Sequence, residues 1–221
     1  MTMFPLQELF IKICGVTNLA DAELACSFGA NAVGFVFNQF DQRYVLPERA
    51  ASIISNLPEH ISKIGVFENA STRYIQSVLK KVPLSAVQLF GNNGPDDLVD
   101  FDVSVIKQFQ LNKSFDIEVM RNYLVDAFLL KDQNEEMGNQ LPKEYHWDIA
   151  IKAKEYGRVI LSGNLNTSNI EDAVRFVQPY GVDVQAGIEI QPGKKDRSKM
   201  RDFIACARGV HLEYDINEEE F

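Results

Sequence analysis

Short apolar runs rich in β-branched residues alternate with longer amphipathic stretches eight times along the chain. Runs of this length and composition are typical of buried strands. They predict strands at residues 10–14, 32–36, 63–67, 86–89, 103–107, 127–130, 159–161 and 182–184. The stretches between them predict helices, the first of which is expected to begin at the N-cap Asn18. A capping box from Ser168 to Glu171 predicts the start of the seventh helix, and the eighth is expected over residues 196–207.

Strands that alternate with helices predict a parallel sheet. Eight such units within 221 residues predict an α/β fold of the TIM-barrel class, a single (β/α)₈ domain over residues 1–221. The alternative is an open doubly wound sheet, which is disfavoured because no glycine-rich dinucleotide fingerprint follows any of the strands. The longest connection, residues 132–146, is expected to be a functional lid or unstructured. The acidic tail, residues 215–221, is expected to be loose.

Composition narrows the classes of function. The hydrophobic fraction of 46% suffices for one sizeable core. With a net charge of −9 and no dominant basic stripe, we expect no nucleic-acid partner. No run of about 18 apolar residues exists, so we expect no membrane span, and no signal peptide is recognisable. Three cysteines without close pairs favour reduced thiols in the cytoplasm. The histidines lack metal-ligand spacing, so we expect no metal; they are His60, His146 and His211.

The carboxyl ends of barrel strands are where functional groups gather. Cys14 ends the first strand and shares one face with Lys12, because strand side chains alternate. A lysine on an inward face is unusual for plain core and favours Cys14 as a base or nucleophile. The other candidates at strand ends are Arg43, Gln88, Lys107, Lys131, Gly163, Asp183 and Gly187. A thiol, an arginine, two lysines and a carboxylate suit proton transfer on an anionic small molecule.

Two glycine-containing loops point to a phosphate. Residues 161–166 read LSGNLN and lead into the helix predicted at Ser168, and residues 183–189 read DVQAGIE. Glycine lets backbone N–H groups approach an anion, and a helix N-terminus offers free donors. The loops after strands seven and eight are the usual phosphate site of such barrels. The two loops together therefore predict a phosphate-bearing ligand.

Several longer motifs run through nearly the whole chain. They are IKICG at 11–15, GFVF at 34–37, QRYV at 42–45, IGVF at 64–67, VQL at 87–89, PYGVDV at 179–184, GIE at 187–189 and PGKKD at 192–196. In this combination they resemble phosphoribosylanthranilate isomerase of tryptophan biosynthesis. The resemblance implies a (β/α)₈ enzyme without a metal or cofactor. Its reaction is the Amadori rearrangement of N-(5-phosphoribosyl)anthranilate to 1-(2-carboxyphenylamino)-1-deoxyribulose 5-phosphate.

The resemblance also implies roles for particular residues. An acid protonates the ribose ring oxygen, and a base removes the proton from the neighbouring sugar carbon. The base would be Cys14 as a thiolate, a form that nearby positive charge favours. Substrate-binding residues would be Lys12, Arg43, Gln88, Lys131 and Asp183, with Arg43 on the anthranilate carboxylate and Asp183 on sugar hydroxyls. The phosphate would lie against Gly163, Asn164, Ala186 and Gly187.

The chain departs from the family pattern at the end of strand six. The family's aspartate acid aligns with Lys131, and Asp132 follows one residue later. We take Asp132 as the acid, on the condition that the strand has ended and the loop turns this side chain inward. Elsewhere, EEMGN at 135–139 replaces a glycine-rich phosphate loop, Phe90 replaces a histidine, and Gln185 and Ala186 replace small serines.

Two alternatives follow from these departures. Lys131 at the end of strand six resembles the Schiff-base lysine of class I aldolases, and a neighbouring cation such as Lys107 would favour a nucleophilic amine. The second alternative is a non-catalytic barrel that binds phosphorylated metabolites. In each case the partner is a small sugar phosphate, and the protein is expected to be a monomer or a homodimer.

Overall fold

The computed structural model describes residues 8–98, 101–112, 114–132 and 143–217, with side chains between 143 and 217 described for residues 147–210. Eight parallel strands pair in chain order and close into a barrel, in which the eighth strand pairs with the first. The strands are β1 Phe10–Ile13, β2 Ala32–Val36, β3 Ser62–Glu68, β4 Ala86–Phe90, β5 Ser104–Leu111, β6 Ala127–Asp132, β7 Val159–Ser162 and β8 Gly181–Val184. The predicted barrel is confirmed, and the open doubly wound sheet is excluded.

Helices cover the outside of this barrel. They are α1 Leu19–Ser27, α2 Pro47–Ile54, α3 Thr72–Leu79, α4 Lys143–Ala153, α5 Ile170–Val177 and α6 Arg197–Asn217. The connections after β4 and β5 contain only short 3₁₀ helices, Pro95–Leu98 and Ile117–Asn122, where the sequence pattern predicted full helices. A small antiparallel hairpin follows β8 and consists of β9 Glu189–Gln191 and β10 Lys194–Lys195. Every helix in the described part is too short or too polar to cross a membrane.

Strand alternation sorts the apolar side chains into two clusters. Inside the barrel lies a small cluster of Ala32, Ile64, Ala86, Ile106, Ala127, Leu129 and Ile160. The larger cluster lies between the barrel and its helices and includes Ile11, Val33, Val87, Leu130 and Val182. Because side chains alternate along each strand, the cluster to which one residue belongs shows the direction of the remaining side chains of that strand. The even positions of β1 and the odd positions of β8 thus point inward.

The helix ends agree with the predictions in one case and differ in two. Asn18 caps α1, since its side chain accepts a hydrogen bond from the Asp21 backbone N–H at 2.9 Å. The capping box predicted at Ser168 is absent, because the Ser168 hydroxyl donates to Asn166 Oδ1 and α5 begins only at Ile170. The final helix continues past its predicted end to Asn217, so the start of the predicted loose tail is helical.

Candidate active site

A row of paired residues crosses the inner face of the barrel near its mouth. Gln110 on β5 pairs with Lys131 on β6, and Lys131 pairs with Ser162 on β7. On the other side, Asp183 on β8 pairs with Lys12 on β1. The Ser162 hydroxyl donates to Asp183 Oδ2 at 2.9 Å and joins the two halves of the row. Paired residues of neighbouring strands face the same side of a sheet, so polar side chains from five strands surround one space.

Lys12 and Asp183 form a buried ion pair. Lys12 Nζ donates to Asp183 Oδ1 at 2.6 Å, and the lysine is fully buried. Burial alone would lower the pKa of Lys12, but the Asp183 carboxylate and the Cys14 sulfur raise it above its ordinary value of 10.5. Both Asp183 oxygens are thereby engaged, one by Lys12 and one by Ser162. Lys12 was predicted to bind substrate, and here it lies behind Asp183 and holds that carboxylate in place.

Cys14 lies immediately after β1, beside this pair. Its backbone N–H donates to the Val184 carbonyl at 2.9 Å, and its sulfur lies close enough to the Lys12 ammonium to raise the pKa of that lysine. Only 4% of the residue is exposed. Gly34 on β2 faces the same spot, and a Cβ added there would lie 3.1 Å from both the Cys14 sulfur and Lys12 Nζ. The absence of a side chain at Gly34 therefore leaves room for the thiol and the ammonium together.

A second charged cluster contacts the Cys14 backbone. Arg43 donates to Glu189 through Nε at 3.0 Å and through Nη2 at 2.7 Å. Lys195 Nζ donates to the same carboxylate at 2.9 Å and also to the Cys14 carbonyl. Burial alone would raise the pKa of Glu189, but the two cations lower it below its ordinary value. Gly15 permits this approach, because a Cβ there would lie 2.7 Å from Arg43 Cδ.

A cavity of about 570 Å³ opens at the carboxyl ends of the strands. Its walls include Arg43 and Asp183 and both predicted phosphate loops, the complete set being Arg43, Gln110, Lys131, Asp132, Ser162–Asn166, Asp183–Gly187 and Lys199. The two loops touch backbone to backbone, since a Cβ at Gly187 would lie 2.0 Å from the Leu165 carbonyl oxygen. Glycine is required at this contact because any side chain would separate the loops.

Free backbone donors line this cavity at the two loops. Gly163 and Asn164 both have positive φ angles, 91° and 52°, which turn the chain sharply after β7. Among the described residues, the N–H groups of Gly163, Asn164, Ala186 and Gly187 donate to no protein acceptor. Consecutive unpaired N–H groups on a concave surface form an anion site. All four residues were predicted to bind phosphate, and the structure brings them together on one wall.

The end of β6 differs from the arrangement that the sequence suggested. The regular pairing with β5 continues to Asp132, which lies opposite Leu111, so the strand has not ended at Lys131. Leu129 lies in the inner cluster and Leu130 in the outer one. By alternation Lys131 then faces inward and Asp132 faces the other side, although both border the cavity. The condition set for Asp132 as the acid is not met, and that role remains a prediction.

The chain is similar to known proteins over most of its length. The family model for N-(5'-phosphoribosyl)anthranilate isomerase matches residues 11–206. The chain belongs to this family. It is 42% identical over 203 residues to N-(5'-phosphoribosyl)anthranilate isomerase of Pelobacter propionicus, covering 92% of this chain and 97% of that relative. The family that the sequence motifs indicated is thereby confirmed.

Solved structures of the family agree with the barrel. Phosphoribosyl anthranilate isomerase from Thermotoga maritima is 35% identical, with a TM-score of 0.83 and coverage of 91% of this chain and 99% of that one. A second structure of phosphoribosyl anthranilate isomerase is a complex with reduced 1-(o-carboxyphenylamino)-1-deoxyribulose 5-phosphate. It is 34% identical, with a TM-score of 0.80 and coverage of 91% and 99%. These proteins share both the fold and nearly the whole length of this chain.

Not every residue that the family resemblance suggested lies at the cavity. Gln88 is buried inside the barrel, where its Nε2 donates to Gln108 Oε1 at 2.6 Å, and it is not one of the cavity residues. Lys107 was expected at the mouth but faces the helix layer, where Nζ donates to the Gly91 and Asn93 carbonyls. Burial lowers the pKa of Lys107, with Asp97 opposing this shift. Lys107, the cation expected to favour a nucleophilic amine at Lys131, therefore points away from Lys131.

Some site residues were not predicted as such. Lys195 is 4% exposed and donates to Glu189, so it belongs to the charged cluster beside Cys14 and not to the solvated surface. Lys199 borders the cavity, and its Nζ donates to the Glu189 carbonyl at 3.3 Å. The sequence did contain a signal for this pair. Pro192 and Gly193 are typical of a hairpin turn, and Glu189 and Lys195 stand on either side of it with opposite charges. Residues 135–139, the altered phosphate loop, lie outside the described residues, as does most of the expected lid.

We expect Gly34→Ala to lower kcat/KM by about tenfold, because the new methyl group displaces the Cys14 thiol and the Lys12 ammonium by a few tenths of an ångström. The measurement is steady-state isomerase kinetics. Gly209→Ala in α6 is the matched control, since a Cβ there meets nothing within 4 Å. Equal activity of the two variants would show that the spacing at Gly34 is unimportant.

Proposed function

We propose that this protein catalyses the Amadori rearrangement of N-(5'-phosphoribosyl)anthranilate to 1-(2-carboxyphenylamino)-1-deoxyribulose 5-phosphate in tryptophan biosynthesis. One observation carries the proposal: a member of this isomerase family has a buried thiol and a lysine–carboxylate pair beside a cavity with free backbone donors. The thiol is suited to act as a base and the backbone donors to hold a phosphate. The reaction requires that the base and the phosphate site lie no farther apart than the length of one sugar phosphate.

The cavity offers a separate binding group for each part of the substrate. The phosphate would accept hydrogen bonds from Gly163, Asn164, Ala186 and Gly187, with Lys199 adding positive charge at the rim. The Asp183 carboxylate would accept from sugar hydroxyls while Lys12 and Ser162 fix its orientation. Glu189 holds Arg43 through Nε and Nη2, and Nη1 lies 3.7 Å from Asp41 Oδ1, beyond hydrogen-bond distance. Nη1 would therefore be the nitrogen that donates to the anthranilate carboxylate.

The chemistry would proceed in two proton transfers. An acid at the end of β6 gives a proton to the ribose ring oxygen as the bond from C1 to that oxygen breaks, and the nitrogen lone pair forms an iminium. Cys14 as a thiolate then removes the C2 proton, and the electron pair of that bond forms an enolamine that becomes the ketone. The step requires Cys14 as a thiolate, and the Lys12 ammonium lies beside its sulfur.

The proposal is tested with purified protein and freshly prepared phosphoribosylanthranilate. We expect the fluorescence of the substrate to disappear at a rate proportional to enzyme concentration, with the ketone product identified by mass after borohydride reduction. Heat-denatured protein gives the background of spontaneous hydrolysis to anthranilate. Absence of turnover in the native protein would refute the isomerase and favour a barrel that only binds phosphorylated metabolites.

We expect Gly187→Ala to raise KM about tenfold or more with a smaller change in kcat, because its Cβ would overlap the Leu165 carbonyl and separate the two phosphate loops. Inhibition by inorganic phosphate should weaken in parallel, since it uses the same N–H groups. The measurement is the KM for substrate together with the inhibition constant of phosphate. An unchanged inhibition constant would place the phosphate elsewhere.

We also propose that the protein works as a monomer or a homodimer in the cytoplasm. The support for the compartment is chemical: Cys14, Cys26 and Cys206 are all free thiols, and a catalytic thiolate needs reducing conditions.

A further inference from the structure

We propose that Lys131 supplies the acid function of this chain, giving its proton to the ribose ring oxygen where a carboxylic acid would otherwise act. The inference rests on the proposed isomerase activity and names the acid within it. The decisive observation is the unbroken register of β6, which aligns Lys131 with Ser162 in the same inward row as Asp183 and Lys12. Asp132 follows on the alternate face.

The other cations near the cavity are already engaged. Lys12 is paired with Asp183, Arg43 and Lys195 are both paired with Glu189, and Lys199 donates to the Glu189 carbonyl. A guanidinium group does not release its proton under ordinary conditions, which also excludes Arg43 as an acid. Within the described residues, Lys131 borders the cavity without a hydrogen bond or ion pair to the protein. Its ammonium therefore remains available for substrate.

The position of Lys131 also suits the two proton transfers. Cys14 lies at the end of the row next to Lys12, whereas Lys131 lies on the other side of Ser162 and Asp183. A sugar whose hydroxyls contact Asp183 is thereby placed between base and acid. An ammonium carries its proton at neutral pH, whereas a carboxyl group has to be kept protonated by its surroundings before it can donate.

The proton balance closes over one turnover. The Lys131 ammonium loses a proton to the ring oxygen, which takes the electron pair of the breaking bond to C1, and the nitrogen lone pair forms the iminium. Cys14 takes the C2 proton, and the electron pair left behind forms the neutral enolamine. The enolamine becomes the ketone by moving one proton from the C2 hydroxyl to C1. The Cys14 thiol then returns its proton through solvent to the neutral Lys131 amine.

The test compares Lys131→Met with Lys131→Arg. Arginine keeps the positive charge but is too weak an acid to donate, so both variants should lower kcat by about 10²- to 10⁴-fold. Binding of the reduced product analogue, measured by calorimetry, should change less than about fivefold in Lys131→Arg. Lys80→Met, at an exposed position at the end of α3, is the control for loss of a lysine. Methylammonium ions should restore part of the activity of Lys131→Ala.

Three results would overturn the proposal. If Lys131→Arg retains kcat while Lys131→Met loses affinity, the lysine binds phosphate by its charge. If Asp132→Asn loses as much kcat as Lys131→Met, the carboxylate is the acid. If borohydride with substrate links covalently to Lys131, the residue forms a Schiff base. A wild-type protein without turnover refutes the isomerase itself, so the failure of the two proposals is distinguishable.

Discussion

Replacing Cys14 with alanine is expected to lower kcat by about 10³- to 10⁴-fold while the fold remains intact. General-base catalysis contributes about 10²- to 10⁴-fold, and the described part of the site offers no second base beside the thiol. The neighbouring carboxylate, Asp183, is held by Lys12 and Ser162, and its proposed role is to accept hydrogen bonds from the sugar hydroxyls. Steady-state kinetics gives kcat, and thermal unfolding followed by circular dichroism checks the fold.

The controls for Cys14→Ala come from the same chain. Cys26 and Cys206 lie on α1 and α6, each half-buried and remote from the cavity, so alanine there should leave kcat unchanged. Cys14→Ser keeps the size of the side chain but replaces the thiol with a poorer base, and we expect it to be nearly as inactive as alanine. A serine variant with more than about a tenth of the parent kcat would indicate that Cys14 serves packing rather than proton abstraction.

The barrel was predictable because strand periodicity and apolar content reinforce each other in the parallel core. Strand β2 has the predicted bounds, Ala32–Val36, and the other strands differ mainly at their ends. The extensions at the carboxyl ends have one physical cause. At the mouth of a barrel the inward residues become polar, so an apolar pattern stops before the hydrogen-bonded ladder does. Strand β5 therefore continues to Leu111 and β6 to Asp132, beyond the predicted ends.

This effect also explains which site residues the sequence placed wrongly. With β5 ending at residue 107, Lys107 appeared to stand at the mouth, but the true mouth residue of that strand is Gln110. With β6 ending at residue 130, Asp132 appeared free to turn inward, whereas the ladder holds it on the alternate face. The glycine loops were placed correctly because close backbone contact demands glycine whatever the register.

Tertiary pairing accounts for what local sequence rules missed. The Arg43–Glu189 pair joins positions far apart in sequence and depends on Gly15 lying between β1 and the loop that carries Arg43. In the loop after β7, asparagine side chains form hydrogen bonds that compete with a capping box at Ser168. Asn166 Oδ1 accepts from the Ser168 N–H at 2.8 Å, and Asn169 Oδ1 accepts from the Asn166 N–H at 2.9 Å. Local capping rules do not weigh these competing contacts.

Replacing Lys12 with methionine is expected to lower the free energy of unfolding by about 3–5 kcal/mol, because it leaves the Asp183 carboxylate buried without its counter-charge. Methionine fills similar space, so the loss reports the missing charge. Urea unfolding followed by circular dichroism measures it. The double variant with Asp183→Asn should be more stable than Lys12→Met alone, since it removes the orphaned charge.

The pH dependence of this loss has a definite sign. The pKa of folded Lys12 lies above the ordinary 10.5, so the pair's contribution is fully present below that pH and is lost only as the pH rises through the folded value. The stability difference between parent and Lys12→Met should therefore stay constant from about pH 7 to about pH 9. Lys81→Met breaks a solvent-exposed pair with Glu48 and should leave stability unchanged within error. If Lys12→Met and Lys81→Met unfolded at the same urea concentration, the Lys12–Asp183 contact would not be stabilised by charge. The fixed positions of the groups proposed for the two proton transfers would then need another explanation.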